Sequence, residues 1–293
     1  MYDFSALYEA SSVQDAIALR VAHPDAVLIA GGSDVLIKMR EGKLAGCELI
    51  SIYKLEELRG VRLDDDGTLR ILPLTSFSHV TKDPLIQRYI PVLGEATDMA
   101  GGPQLRNIGT IGGNICNGVT SADSASTLFA YDAVLEITGP NGVRQAPDRA
   151  FYTGPGKVAL ENNELLTAIL IPKDSYENCF GYYIKYAMRN AMDIATIGCS
   201  VNVVLSDDKK TLQRVRIGYG VAGPIPLRAV TAEAAVMGKP VSKETVELFG
   251  KAALEDVNPR TSWRATKEFR LQIIGELARR ALTEAIKRAG GVL

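Results

Sequence analysis

Cysteine and histidine are scarce in this chain: four and two among 293 residues. Cys47, Cys116, Cys179 and Cys199 form no C-x-x-C pair, which argues against a metal or iron–sulfur cluster held by this chain alone. As small apolar residues they are expected in the interior, and only Cys116 falls inside a motif. Neither His23 nor His79 has a partner with which to build a triad, and no G-x-S-x-G elbow is present. His23 precedes a proline and reads as exposed. The formal net charge is −1, so nothing points to nucleic acid or an acidic membrane. No apolar run approaches the ~20 residues that cross a bilayer. The Met1-Tyr2-Asp3-Phe4 start lacks the basic opening and apolar core of an export signal, and a cytoplasmic location is expected. Apolar residues at 46% and charged residues at 23% are enough for one large domain or two ordinary ones.

Glycine, by contrast, is concentrated where it matters. Ala30-Gly31-Gly32-Ser33-Asp34 follows the apolar stretch from Ala26 to Ile29, and a short helix carrying Val35, Leu36, Ile37 and Met39 comes next. Thr110-Ile111-Gly112-Gly113-Asn114 opens a second run that continues through Cys116 to Asp123. Backbone N–H groups without side chains in front of them can approach an anion closely. Two such segments converging on one pyrophosphate would make a cradle, with the first helix starting beside it. A plain tight turn is the other reading of the first segment. Asp34 suits a helix cap or a hydroxyl acceptor better than a phosphate contact. Thr110 adds a hydroxyl, and Asn114 can donate and accept.

The rest of the pattern is mixed. Ser12 and Asp15 start a helix with Val13, Ala16, Ile17 and Val21 on one face, and His23-Pro24 stops it. Leu49 to Ile52 reads as a strand, and Val61–Leu63 with Leu69–Leu72 reads as a hairpin around Asp64-Asp65-Asp66-Gly67. Those aspartates read as a solvated turn rather than a metal site. Thr81 to Met99 is helical with a break at Pro91. Asp132–Thr138 enters another hairpin, and Leu165–Ile171 is a strand. Residues 173–179 are polar and read as a linker. Strands over Gly181–Ala187, Thr196–Leu205 and Gln213–Val221 follow, then helices over Leu227–Met237, Lys243–Leu254 and Ala265–Ala289. Gly218-Tyr219-Gly220-Val221-Ala222-Gly223 fits G-x-G-x-x-G, but Pro224 and Pro226 forbid the helix a dinucleotide fold needs there.

The apolar-Ala-Gly-Gly-Ser-Asp segment, Arg106-Asn107-x-x-Thr110-x-Gly112-Gly113-Asn114-Ile115 and the downstream Asp123 together resemble the FAD-binding subunits of molybdenum hydroxylases. The resemblance runs from Tyr2 to Gly291 and includes Thr153–Lys157, Lys185–Arg189 and Ser262-Trp263-Arg264. It is closest to the xanthine dehydrogenase type. It implies an α+β fold: a two-part FAD-binding domain of the vanillyl-alcohol-oxidase (PCMH-like) kind, then a small domain with a three-stranded antiparallel sheet and helices. The expected limits are 1–175, with parts of about 1–55 and 56–175, and 176–293.

The resemblance further implies that Leu28, Ile29, Ala30, Gly31, Gly32, Ser33, Asp34 and Val35 wrap the FAD pyrophosphate. Gly109, Thr110, Ile111, Gly112, Gly113 and Asn114 would lie at the phosphates and flavin, and Asp123 at ribose or ribityl hydroxyls. Leu166 would give an apolar contact, and Lys185 a cation near the flavin. Read without it, Asp123 is a helix N-cap, Leu166 a core residue and Lys185 a surface lysine. Arg189 and Asp193 are expected to pair across a turn, and Trp263 to anchor a domain or subunit contact. The implied partners are a molybdopterin-binding large subunit and a small subunit with [2Fe–2S] clusters, with NAD accepting hydride. No residue of this chain is assigned a catalytic or metal-binding role. Three other readings remain: a stand-alone flavin oxidase or reductase, the medium subunit of a carbon monoxide or N-heterocycle dehydrogenase, and a flavin-free scaffold.

Overall fold

Residues 2–293 are described by a computed structural model. The chain begins with a parallel layer. Strand β1 (Phe4–Glu9) leads through helix α1 (Val13–Ala22) to β2 (Val27–Ile29), and α2 (Val35–Arg40) leads on to β3 (Cys47–Ser51), in the order β1-β3-β2. The Ser12 hydroxyl caps α1 by accepting from the Asp15 N–H at 3.0 Å. Val13, Ala16 and Ile17 turn inward against Leu55, Leu58, Leu74 and Leu165. Val21, expected on that face, is exposed where the helix overruns its core. The pattern also gave no sign of β1, whose residues are mostly exposed and carry no clean alternation. His23 differs too: it is half-buried, stacked on Tyr8 and 3.0 Å from Glu48 Oε2.

A five-stranded antiparallel sheet follows. Its strands are β4 (Val61–Leu63), β5 (Leu69–Ile71), β6 (Val134–Gly139), β7 (Gly142–Pro147) and β10 (Leu165–Ile171), ordered β4-β5-β10-β6-β7. Strand β10 is central and buried along its whole length. A small hairpin, β8 (Tyr152–Gly154) and β9 (Lys157–Val158), lies just before it. The helical stretch is more broken than one proline suggested. Helices α3 (Phe77–Lys82), α4 (Pro84–Tyr89) and α5 (Pro91–Asp98) are separate, because Pro84 and Pro91 each restart the chain at a first helical turn. Then come α6 (Pro103–Ile108), α7 (Ile111–Cys116), α8 (Asp123–Ala130) and the short α9 (Asp148–Phe151). Phe77, Leu93, Ile111, Ile115, Leu128 and Phe129 close the core against Leu69, Ile71, Leu135 and Ile169.

Residues 173–179 are not a free linker. They include helix α10 (Lys173–Tyr176), held down by the buried Tyr176, whose hydroxyl donates to the Gly67 carbonyl. Beyond it β11 (Phe180–Tyr186), β12 (Ile197–Leu205) and β13 (Leu212–Gly220) form an antiparallel sheet. A fourth strand, β14 (Leu227–Arg228), joins where only helix was expected. Helices α11 (Val230–Val236), α12 (Lys243–Ala252) and α13 (Lys267–Arg288) complete this domain. Ile197, Cys199, Val201, Val215 and Ile217 pack with Ile274, Ala278 and Ala281 of α13. The strand-ending reading of Gly218–Gly223 holds, since β13 stops at Gly220 and no helix opens there.

Strand β11 serves two cores. Tyr183 packs into the first domain's core, while Tyr182 and Ile184 pack into the second's. Charge also spans the seam: Arg228 pairs with Glu233 in its own domain and with Asp132 across it at 2.8 Å. Near this cluster Asp148 is buried, and neither carboxyl oxygen has a hydrogen-bond partner among the described residues. Burial pushes its pKa well above the usual carboxylate range, and the nearby Asp132 adds to the rise. The folded state therefore keeps a proton that the unfolded chain sheds above about pH 4. Stability is undiminished below that pH and falls as pH rises toward the folded value. Asp148→Asn, which has no proton to lose, should melt above the wild type at pH ~8, with the gap closing toward pH ~4. Thermal melts across this range test it, and a constant gap would remove Asp148 as the cause.

Candidate functional site

The two glycine segments meet backbone to backbone. A Cβ on Gly31 would lie 1.8 Å from the Ile108 carbonyl oxygen and 3.4 Å from the Gly109 nitrogen. Only glycine allows that approach. Gly32 has φ +75°, which turns the chain from β2 into α2. Lys38 of α2 ties the two regions again, donating to Asn117 Oδ1 at 2.9 Å. Among the described residues, the backbone N–H groups of Gly31, Gly32, Ser33, Asp34 and Val35 find no protein acceptor. Five such donors in succession are available to meet an anion. The Asp34 side chain is exposed and makes no cap hydrogen bond.

The second segment is built differently from the open loop its glycines suggested. It is the first turn of α7, and its amides are largely used within the protein. Ile111 N–H donates to the Thr75 carbonyl, Gly112 N–H to the Pro73 carbonyl at 2.8 Å, and Gly113 N–H to the Thr110 hydroxyl at 3.1 Å. Gly112 is required by packing, because a Cβ there would sit 2.4 Å from Pro73 Cβ. Gly113 is the more open of the pair: only Thr110 Oγ1 would lie near its Cβ. The Thr110 hydroxyl is thus a helix cap.

From α7 the contacts run on to a buried ion pair. Asn114 Oδ1 accepts from the Ser124 hydroxyl at 2.7 Å, which docks α7 on the start of α8. Next to Ser124, Asp123 is the first residue of α8; the cap position belongs to Ala122, and the Asp123 side chain does not cap. Asp123 Oδ1 instead accepts from the Tyr183 hydroxyl at 3.0 Å, and Oδ2 from Lys185 Nζ at 2.9 Å. Lys185 also donates to the Met99 carbonyl at 2.9 Å. The lysine and aspartate side chains are only 7% and 11% exposed, so Lys185 is no surface lysine. Burial raises the Asp123 pKa, and Lys185 and Tyr183 pull it back. Leu166 is packed into the core of the first domain.

The structure thus brings the Gly31–Val35 amides, the Thr110–Asn114 turn, Asp123 and Lys185 into one connected region, with Leu166 beneath it in the core. Lys38, Asn117 and Tyr183 were not singled out from sequence. Tyr183 had one legible signal: it stands two residues from Lys185 on a strand, hence on the same face. Arg189 and Asp193 do pair, through both a backbone N–H and the guanidinium. Around the region Met99, Leu105, Ile108, Met188, Met192 and Ile194 are exposed.

A strand leading into free amides, a glycine-only backbone contact and a buried cation paired to an acid thus lie together in a two-domain chain. The model for the FAD binding domain in molybdopterin dehydrogenase matches residues 2–174, and that for the CO dehydrogenase flavoprotein C-terminal domain matches residues 182–285. The xanthine dehydrogenase FAD-binding subunit of Escherichia coli O157:H7 is 44% identical over 293 residues, covering 100% of both chains. The carbon monoxide dehydrogenase medium chain of Hydrogenophaga pseudoflava is 32% identical over 278 residues, 94% of this chain and 95% of that one. A solved structure of carbon monoxide dehydrogenase from Hydrogenophaga pseudoflava, lacking the Mo-pyranopterin moiety, superposes with TM-score 0.93 at 32% identity, over 98% and 99% of the two chains. This chain belongs to the FAD-binding medium subunits of molybdenum hydroxylases. Its cofactor is FAD, and it is a flavoprotein oxidoreductase subunit. No helix among the described residues is long and apolar enough to cross a membrane.

Because Gly31 and Gly112 face backbone or proline atoms, a methyl group at either should cost about 1–3 kcal/mol. Gly154, where an added Cβ meets only Lys157 Cδ at 4.0 Å, should accept alanine at little cost. Urea unfolding of Gly31→Ala, Gly112→Ala and Gly154→Ala makes the comparison. Equal midpoints for all three would contradict the close backbone approach.

Proposed function

We propose that this chain is the flavin subunit of a xanthine dehydrogenase-type enzyme, working between a molybdopterin-binding large subunit and a small subunit with [2Fe–2S] clusters. The observation that carries the site reading is the run of five unengaged N–H groups at Gly31–Val35, pressed against the second glycine segment. The full-length similarity to a xanthine dehydrogenase FAD-binding subunit supports the choice of enzyme type. Held there, FAD would supply the redox chemistry between the partner's clusters and NAD, two electrons and a proton leaving as hydride.

The chain's own residues bind and orient. Leu28 and Ile29 end β2 and aim the turn, and Ala30 to Val35 would hold the pyrophosphate through backbone donors. Gly109, Thr110 and Ile111 shape the facing wall by hydrogen bonds into the Thr75–Phe77 backbone. Gly112 lets that wall close, and Gly113 and Asn114 stand on its open side. Asp123 has lone pairs left over from Tyr183 and Lys185 with which to accept from sugar hydroxyls. Lys185 has one donor left beyond Asp123 and Met99. Its fixed charge would favour negative charge on the cofactor. Leu166 supports the site from the core side.

The exposed apolar residues around the site, from Met99 to Ile194, support a face covered by a partner. Trp263, 76% exposed with the Arg264 guanidinium 4.2 Å above its ring, fits an anchor for a neighbouring chain. The purified chain should carry stoichiometric, non-covalent FAD, read by its absorption spectrum and identified after heat release. Asp123→Ala should weaken FAD binding by about 1–3 kcal/mol. A colourless chain that takes up no added FAD would point to a site completed by the partners or to a scaffold. Flavin without co-purifying partner chains would favour a stand-alone oxidase or reductase.

A further inference from the structure

Tyr183 has no assigned role in the reading above, yet its placement is costly and specific. Its side chain is buried at 5% exposure, on the face of β11 that it shares with Lys185. Ser200 stands opposite it on β12, and Gly198, opposite Lys185, lies diagonal to it; a Cβ on Gly198 would be 3.4 Å from the Tyr183 hydroxyl and 3.8 Å from the ring edge. The hydroxyl reaches Asp123 Oδ1 at 3.0 Å. Burial and the neighbouring carboxylate push the phenol pKa well up, so Tyr183 remains a donor.

We propose that Tyr183 is a positioning residue that keeps Asp123 ionised and aimed, and so sets the pH range over which the chain holds FAD. The inference rests on the reading that Asp123 meets hydroxyls of the cofactor. A carboxylate has about four acceptor sites, of which Tyr183 and Lys185 occupy one each. The remaining two suit vicinal hydroxyls. Protonation would convert one oxygen into a donor and leave the Lys185 ammonium buried without its counter-charge. Burial already drives Asp123 toward that state. The Tyr183 hydrogen bond opposes it, because a donor to the charged form favours that form.

Few other groups face the pair. From α8 come the Ser124 hydroxyl, which is committed to Asn114, and the Ser126 hydroxyl, neither of which carries charge. The end of α5 offers the Met99 carbonyl, while Asp98 is turned outward and paired with Arg106. From β12 the uncharged Ser200 stands across from Tyr183 and Gly198 across from Lys185, and Gly218 and Gly220 bring no side chain from β13. The Cys199 thiol, next along β12, is raised far by burial and stays neutral. Asp123 is therefore the group that titrates here.

Its ionised form predominates above its pKa and is lost as pH falls through it. Removing the Tyr183 hydroxyl raises that pKa, so the loss must begin at a higher pH. The test is FAD binding to the full-length chain, stripped of flavin and titrated by fluorescence quenching from about pH 5 to about pH 9. Tyr183→Phe should bind within about threefold of wild type at the alkaline end. It should begin to lose affinity at a higher pH as the solution is acidified, a difference of up to about tenfold. Asp123→Asn should bind weakly with a flat profile. Two results would overturn the inference: a Tyr183→Phe profile superimposable on wild type, or a uniform loss at all pH values with a lowered melting temperature. If Asp123→Asn bound FAD as tightly as wild type, the carboxylate would lie outside the site, and the underlying reading would fail instead.

Discussion

The closest constraint in the molecule is the contact between Gly31 and the Ile108 carbonyl. It joins a βα turn of the parallel layer to the turn between α6 and α7, which sits over the antiparallel sheet. Neither element can shift without opening the other. The free amides of Gly31–Val35 exist as a surface because the layer is held there, and α7 can bond back to Pro73 and Thr75 because the sheet holds it from behind. Two layers with separate cores, one with Leu55, Leu58 and Leu165 and one with Phe129 and Ile169, meet at this one approach. Pyrophosphate sites need donors that are rigid before the anion arrives, since reorganising them on binding would consume affinity.

Electrostatics complete the arrangement from the other domain. Asp123 belongs to the first domain and Lys185 with Tyr183 to the second, so the buried pair crosses the seam. The Arg228–Asp132 pair crosses it as well. Buried ion pairs add little net stability, because desolvation offsets attraction. What they add is specificity of placement: a cation and an acid fixed at set distances beside the cradle.

Local chemistry was the legible part. Ser12 marks a helix start that needs only a few neighbouring residues, Pro91 marks a break, and the apolar run of β10 reads as a strand. The glycine segments were visible because close backbone approach leaves a compositional trace. The use of each amide was not visible. Whether Gly112 N–H faces a ligand or Pro73 depends on a segment some forty residues earlier. Strand β1 was missed because a mostly exposed edge strand carries no burial pattern, and β14 because two residues are too few to show one. The polar stretch at 173–179 misled because its anchor is a single tyrosine reaching a distant hairpin. Tyr183 and Lys185 find Asp123 only through the fold, across about sixty residues.

Strand β11 contributes alternate side chains to two cores, Tyr183 to one and Tyr182 with Ile184 to the other. A boundary that runs through the pleat of one strand cannot act as a hinge. Parting the halves would strip Tyr183 and Lys185 from the acid they meet, in the same movement that bares both interiors. The buried charge at the seam and the mechanical integrity of both cores are therefore one property of this chain. It should behave under force, heat or proteolysis as a single latch.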